Sequence, residues 1–180
     1  MQDVAAAAGC TRRTLYAYFE SWEDLVLQAY IEDMGKRWES QKEAMAEGEN
    51  GLDQLNLWAH AYYAYGVEHP ESVHLEMFRD YRGIEPTDLR PPVKERYDAI
   101  LTPLLGEMVA VFSKGQQDGS IRPELAPLPT LNQFAFSLRT LMNRILCSGD
   151  NPDEFDTTDF VTNFIQLFLR GIANHPEAGS

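Results

Sequence analysis

The chain has only two cysteines, Cys10 and Cys147, far apart, with no CxxC spacing and no companion histidines. That excludes a disulfide framework and a clustered zinc site, and both read as buried thiols. No apolar run approaches the roughly 20 residues a bilayer-crossing helix needs. The opening MQDVAAAAGC also lacks the basic-then-apolar layout of a secretory leader, so the expected location is cytoplasmic. Sustained apolar/polar alternation is nearly missing, which argues against strands. There is no GxSxG elbow, phosphate-binding glycine loop or HExxH pair, so neither an enzyme nor a cofactor is expected. Glu76 and Asp80 stand one helical turn apart and read as a solvated helix face. His60, His69 and His74 are not spaced as a compact ligand set, so no metal is expected.

Positive charge is also scarce: 15 basic residues against 28 acidic ones leave a formal charge of -13. The deficit is uneven. Residues 1–19 hold Arg12 and Arg13 against Asp3, a local charge of +1, so the remaining residues carry -14. Binding phosphate needs local cations rather than a basic whole, and an acidic body disfavours nonspecific contact with nucleic acid more than specific contact.

What the sequence does have is 44% hydrophobic and 11% aromatic content, enough for a substantial core, in segments that repeat apolar residues every three or four positions. The expected fold is all-α. Residues 1–8 are alanine-rich and end at Gly9, suited to the left-handed conformation that closes a helix. Thr11 is placed to cap a short helix over 12–19. Ser21 caps the next, with Glu23 and Asp24 in its first turn; it runs to about residue 47, with Leu25, Ala29, Met34 and Trp38 on its apolar face. Helices are expected over 52–69, stopped by Pro70, and over 71–82, stopped by Gly83. The connector GIEPTDLRPP precedes a helix over 93–117, where Pro103 predicts a kink or a broken turn. After the loop DGSIRPELAPLP, residues 130–147 carry a seam of Leu131, Phe134, Ala135, Leu138, Leu141, Met142 and Ile145. Thr157 or Thr158 caps a last helix with Phe160, Val161, Phe164, Ile165, Phe168 and Ile172 on one side. Two such apolar helices bury more surface than one subunit offers.

The spacing in residues 1–20 suits two short helices crossing steeply. Ala5 is small where the second helix approaches, Gly9 permits the turn, and Val4, Ala8, Cys10, Leu15 and Tyr18 are candidates for the inward face. Thr11, Arg12, Arg13, Thr14 and Tyr16 then form an exposed face of hydrogen-bond donors, which suits the major groove of DNA. The string DVAAAAGCTRRTLYAYFESWEDL resembles the signature of TetR-family bacterial regulators, above all in Thr14-Leu15-Tyr16-Ala17-Tyr18-Phe19. The resemblance implies a helix-turn-helix in which Thr11, Arg12, Arg13, Thr14, Tyr16 and Tyr18 meet DNA. Arg12 and Arg13 are then the base readers, while Tyr18 serves either the backbone or the core. Two departures stand out. Trp22 occupies a position where the family often has lysine, and the helix that precedes the helix-turn-helix in the family is not in this sequence, as expected of an N-terminally shortened form.

The resemblance further implies a head with the start of the connecting helix over 1–38 and a ligand-binding and dimerisation domain over 39–180. The last two long helices would pair with those of a second subunit, with Leu138, Leu141, Ile145, Phe164, Ile165 and Phe168 as interface candidates, each equally able to be core. Trp58, Tyr62, Tyr65, Phe78, Tyr81, Met108, Phe112 and Phe134 are candidates for a cavity among the middle helices; plain core packing is the alternative. The function implied is a homodimeric repressor that leaves a pseudo-palindromic operator when a small apolar or aromatic effector binds, with the helix over 22–47 as the lever. The competing reading is a helical small-molecule-binding or interaction module that does not bind DNA.

Overall fold

The computed structural model describes residues 1–84, 90–147 and 157–174. Eight helices follow in order among them: α1 (Gln2–Ala7), α2 (Arg12–Tyr18), α3 (Trp22–Ala46), α4 (Gly51–Glu68), α5 (Pro70–Tyr81), α6 (Pro91–Asp118), α7 (Pro127–Cys147) and α8 (Thr157–Ile172). The all-α expectation holds. The sole extended pairing among the described residues is an isolated bridge between Ile121 and Ala173, which ties the α6–α7 loop to the end of α8.

Helix boundaries follow local chemistry. α1 ends as Gly9 takes a φ of 64°. The Cys10 amide then donates to the Ala5 carbonyl at 2.9 Å and the Gly9 amide to that of Ala6 at 3.2 Å, the paired bonds of a left-handed helix stop. Side-chain caps start the next three: Thr11 accepts from the Thr14 amide, Ser21 from Asp24 and Asn50 from Asp53. Prolines with preset φ open α5 and α6, and Gly119 at φ 81° closes α6. α6 runs through Pro103 as a single helix, so the broken turn expected there does not occur. Thr157 and Thr158 form the first turn of α8 rather than its cap. Residues 85–89 of the expected connector lie outside the described residues.

The main core gathers Trp38 and Met45 of α3, Leu55, Trp58 and Tyr63 of α4, Met108 and Phe112 of α6, and the inner faces of α7 and α8. A smaller cluster of Val26, Leu27 and Ile84, flanked by Trp22, Leu75 and Phe78, joins the start of α3 to α5. The α3 core stripe differs from the expected one. Ala29 is exposed and Leu25 half-buried, because the stripe that meets α4, α5 and α6 runs through Val26, Leu27, Tyr30, Ile31, Met34 and Trp38.

α4 and α6 meet backbone to backbone. A Cβ on Gly51 would lie 2.2 Å from the Gly115 nitrogen, so this crossing requires glycine. Here Asp118 of α6 accepts from the Gly51 amide at 2.9 Å and Ser120 from the Leu52 amide at 3.1 Å. The end of α6 and the loop just after it thereby satisfy amides that the first turn of α4 leaves open.

Candidate functional sites: an exposed helix and a cationic cavity

α2 presents its polar face to solvent. Ala5 and Leu15 are buried at the α1–α2 crossing, while Thr11, Arg12, Arg13 and Thr14 are all exposed. The Thr11 and Thr14 hydroxyls are 2.9 Å apart. Arg12 lies over the Tyr16 ring at 5.9 Å, and neither Arg12 nor Arg13 enters an ion pair among the described residues. Tyr18 is 71% exposed, so the inward place considered for it is corrected: the chain turns extended at Phe19, leaving the phenol in solvent. Ala8 is likewise exposed, and Val4 and Cys10 are half-buried, because so short a pair of helices encloses little.

Trp22 shows what its position does here. Its ring meets Phe78 of α5 edge-on at 6.2 Å, so it pins the start of α3 to the body. Nearby, Asp24 accepts from the Glu20 amide at 2.9 Å, from Gln28 at 3.0 Å and from Arg90 at 2.7 Å. Arg90, immediately before α6, thus clasps the junction of head and body.

Between α3, α4, α5, α6 and α7 lies a cavity of about 380 Å³. α6 supplies Tyr97, Leu101 and Leu104, spaced so that all three fall on one helix face. α3 supplies Tyr30, Met34, Arg37 and Gln41 by the same rule, and α7 supplies Asn132, Ala135, Phe136 and Arg139. Trp58 and Tyr62 of α4 and Glu76 and Arg79 of α5 complete the wall.

Glu76 is the hub. It accepts from Tyr62 at 3.0 Å, from Arg37 at 3.2 Å and from Tyr30 at 3.4 Å, with Arg139 at 4.0 Å. Arg79 covers the Tyr30 ring at 4.2 Å and pairs with Asp80, which also meets Arg139 at 3.5 Å. The solvated carboxylate pair expected at Glu76 and Asp80 is therefore corrected: Glu76 is buried. Burial alone would lower the Arg37 pKa, but Glu76, then Tyr62, Tyr30 and Asp33, raise it overall, so Arg37 stays charged. Burial and then Glu76 push the Tyr62 and Tyr30 phenols up, keeping both as donors.

Gln41 is also buried, and its Oε1 accepts from the Trp58 indole at 3.0 Å. An indole N–H can only donate, which fixes the orientation of the amide. Its Nε2 is left buried without a partner among the described residues, a condition that costs about 1–3 kcal/mol.

Of the aromatic cavity candidates, Trp58 and Tyr62 line this space. Met108, Phe112 and Phe134 are sealed in the core instead. Tyr65 donates to Asp33 at 3.2 Å, Phe78 packs on Trp22, and Tyr81 is 88% exposed at the end of α5. Sequence reasoning missed Arg37, Gln41, Glu76, Arg79 and Arg139, charged or amide residues whose convergence depends on tertiary packing.

The interface candidates divide in the same way. Leu138 and Ile165 face their own core, because each lies on the side where α7 and α8 meet α4 and α6. Leu141, Ile145, Phe164 and Phe168 are partly buried, with Phe168 stacked on Phe134 at 4.2 Å. On the outer face of α8, Leu167 is 70% exposed and Phe160 about half exposed. No described helix is long and apolar enough to cross a membrane.

Residues 1–29, the two short helices and the start of α3, match the family described as bacterial regulatory proteins, tetR family. That match covers the candidate DNA-facing segment, and over it the chain is similar to the TetR family. Over 172 residues, 95% of this chain and 84% of the relative, it is 21% identical to the fatty acid metabolism regulator protein of Bacillus subtilis (strain 168). Among solved structures it is similar to the ketosteroid transcriptional regulator KstR2 of Mycobacterium tuberculosis, with a TM-score of 0.72 and 17% identity over 97% of this chain and 84% of that one. The fatty acid degradation regulator FadR of Bacillus halodurans gives 0.69 and 18% over 95% and 87%. The TetR-family relatives are transcription regulators, not enzymes.

Proposed function

We propose that this chain represses transcription by seating α2 in the major groove of an operator, and that a small molecule in the cavity between α3 and α7 releases it. Thr11, Arg12, Arg13, Thr14, Tyr16 and Tyr18 make the DNA contacts. Arginines 12 and 13 read base edges, and the hydroxyls hold phosphates. The observation that carries this reading is the exposure of Arg12 and Arg13, with no ion pair among the described residues, on a helix whose other face is anchored by Leu15. An acidic body, -14 beyond residue 19, repels DNA elsewhere and so orients the approach. As a DNA-bound regulator the protein works in the cytoplasm.

The dimer forms through α7 and α8, with Leu141 and Ile145 of one and Phe164 and Phe168 of the other at its centre, widened by the outward Phe160 and Leu167. The functional division falls near residue 38, inside α3, so this helix belongs to both the head and the sensing body. Support for a sensing body comes from its cavity and from the relatives. FadR of Bacillus subtilis, 19% identical with a TM-score of 0.68, was solved in complex with stearoyl-CoA. A cavity of about 380 Å³ falls within the usual range for small-molecule sites, about 300–1,000 Å³.

The test is fluorescence anisotropy with the DNA upstream of the protein's own gene. Wild-type affinity is expected to fall steeply with salt, and Arg12→Ala or Arg13→Ala to weaken binding by about 1–3 kcal/mol. Equal binding to any DNA sequence, or none at all, overturns the DNA-binding assignment.

A further inference from the structure

The cavity wall carries three guanidinium groups, Arg37, Arg79 and Arg139, against the single carboxylate of Glu76. Two other acids stand behind it. Asp80 pairs with Arg79 and Arg139, while Asp33 accepts from Tyr65 and Ser72. The lining itself is thus cationic, and cations facing a desolvated space favour an anionic guest. Arg139, about a quarter exposed beside Phe136, stands on the solvent side, where an arriving anion meets it first. Elsewhere on the wall, Met34, Leu101, Leu104 and Ala135 offer only apolar surface.

Gln41 supplies an independent sign. It lines the same space, is buried, and carries an amide nitrogen that nothing among the described residues accepts from. A buried donor without a partner calls for an acceptor from a guest. Along α3, Gln41 lies one turn, about 6 Å, beyond Arg37.

We infer that the effector is an amphiphilic organic carboxylate with a second, uncharged acceptor such as a ketone: Arg79 and Arg139 take the carboxylate, Gln41 Nε2 donates to the ketone, and the tail lies along Leu101 and Leu104. This deepens the proposed sensing function and rests on it.

Calorimetric titration of the full chain with 5-oxodecanoate, decanoate and 5-oxodecan-1-ol tests it. The keto acid is expected to bind tightest, and the alcohol at least about tenfold more weakly. In Arg139→Gln the acid's advantage over the alcohol shrinks severalfold, and Arg139→Lys restores most of it. Gln41→Glu, which keeps the Trp58 acceptor but removes the donor, abolishes the preference for 5-oxodecanoate over decanoate. The wild-type comparison stands whether or not a variant folds. If the alcohol binds as well as the acid, or neither acid binds, the inference falls. The sensing function is read separately, from release of the upstream DNA. Neutral compounds that release DNA while acids do not bind overturn only the ligand class. Acids that bind and leave DNA in place overturn only the sensing function.

Discussion

In the head, Arg12 and Arg13 project into solvent from α2 and enter no ion pair among the described residues, whereas Arg37 and Arg79 of the body lie buried against Glu76, Asp80 and the rings of Tyr62 and Tyr30. The head encloses little more than Ala5 and Leu15, while the body closes around seventeen buried residues in one cluster. A guanidinium contributes to folding only where neighbours surround it. Where none do, its hydrogen-bonding capacity remains open to a partner. Side chains in the head can therefore be altered for DNA recognition at little cost in stability, and those in the body cannot.

The sharpest way to break this contrast is Glu76→Leu. It leaves Arg37 buried without its carboxylate and is expected to cost about 3–5 kcal/mol in urea unfolding; a loss below about 1 kcal/mol would mean the body does not depend on the network. Next comes Gly51→Ala, which drives a Cβ into the Gly115 backbone and should cost about 3 kcal/mol, seen as a lowered melting temperature. The reverse side of the comparison is tested by Arg12→Ala and Arg13→Ala together. Their unfolding midpoint should stay within about 0.5 kcal/mol of wild type even as operator binding collapses. A large stability loss there would erase the distinction.

The smallest effect concerns pH. Burial lowers the His60 pKa below its usual 6.5, so the unfolded chain takes up the proton first. Its contribution to stability is therefore intact above about pH 6.5 and is lost as pH falls through the lower folded value. His60→Gln should reduce the drop in unfolding midpoint between pH 7 and pH 5; an unchanged profile would remove His60 from the account.

Much of the head was legible in the sequence because its determinants are local. Thr11, Ser21 and Gly9 act within three or four residues of themselves, so their spacing carries the helix limits directly. The same holds for Pro70 and Gly83 around α5. The cavity was not legible. Arg37 and Glu76 stand 39 residues apart and are joined only when α3 packs on α5. On its own helix Glu76 has a neighbouring acid at Asp80 and looks solvated. The α3 stripe was displaced for a related reason: α3 contacts both bodies of core, and its buried positions reflect two partners rather than one amphipathic face. Leu138 and Ile165 illustrate the limit for interfaces, since a seam of apolar residues does not reveal which of its members face inward.

The glycine contact between α4 and α6 has a mechanical consequence. α6 is fixed near Gly115, and about 37 Å away along its axis Arg90 holds Asp24 at the base of the head. A rotation of only about 5° at the fixed end sweeps Arg90 through about 3 Å, as far as the whole length of that contact. Tyr97, Leu101 and Leu104 lie on the swept part of the radius, so under the proposed sensing function a volume change of a few atoms beside them is magnified at the head.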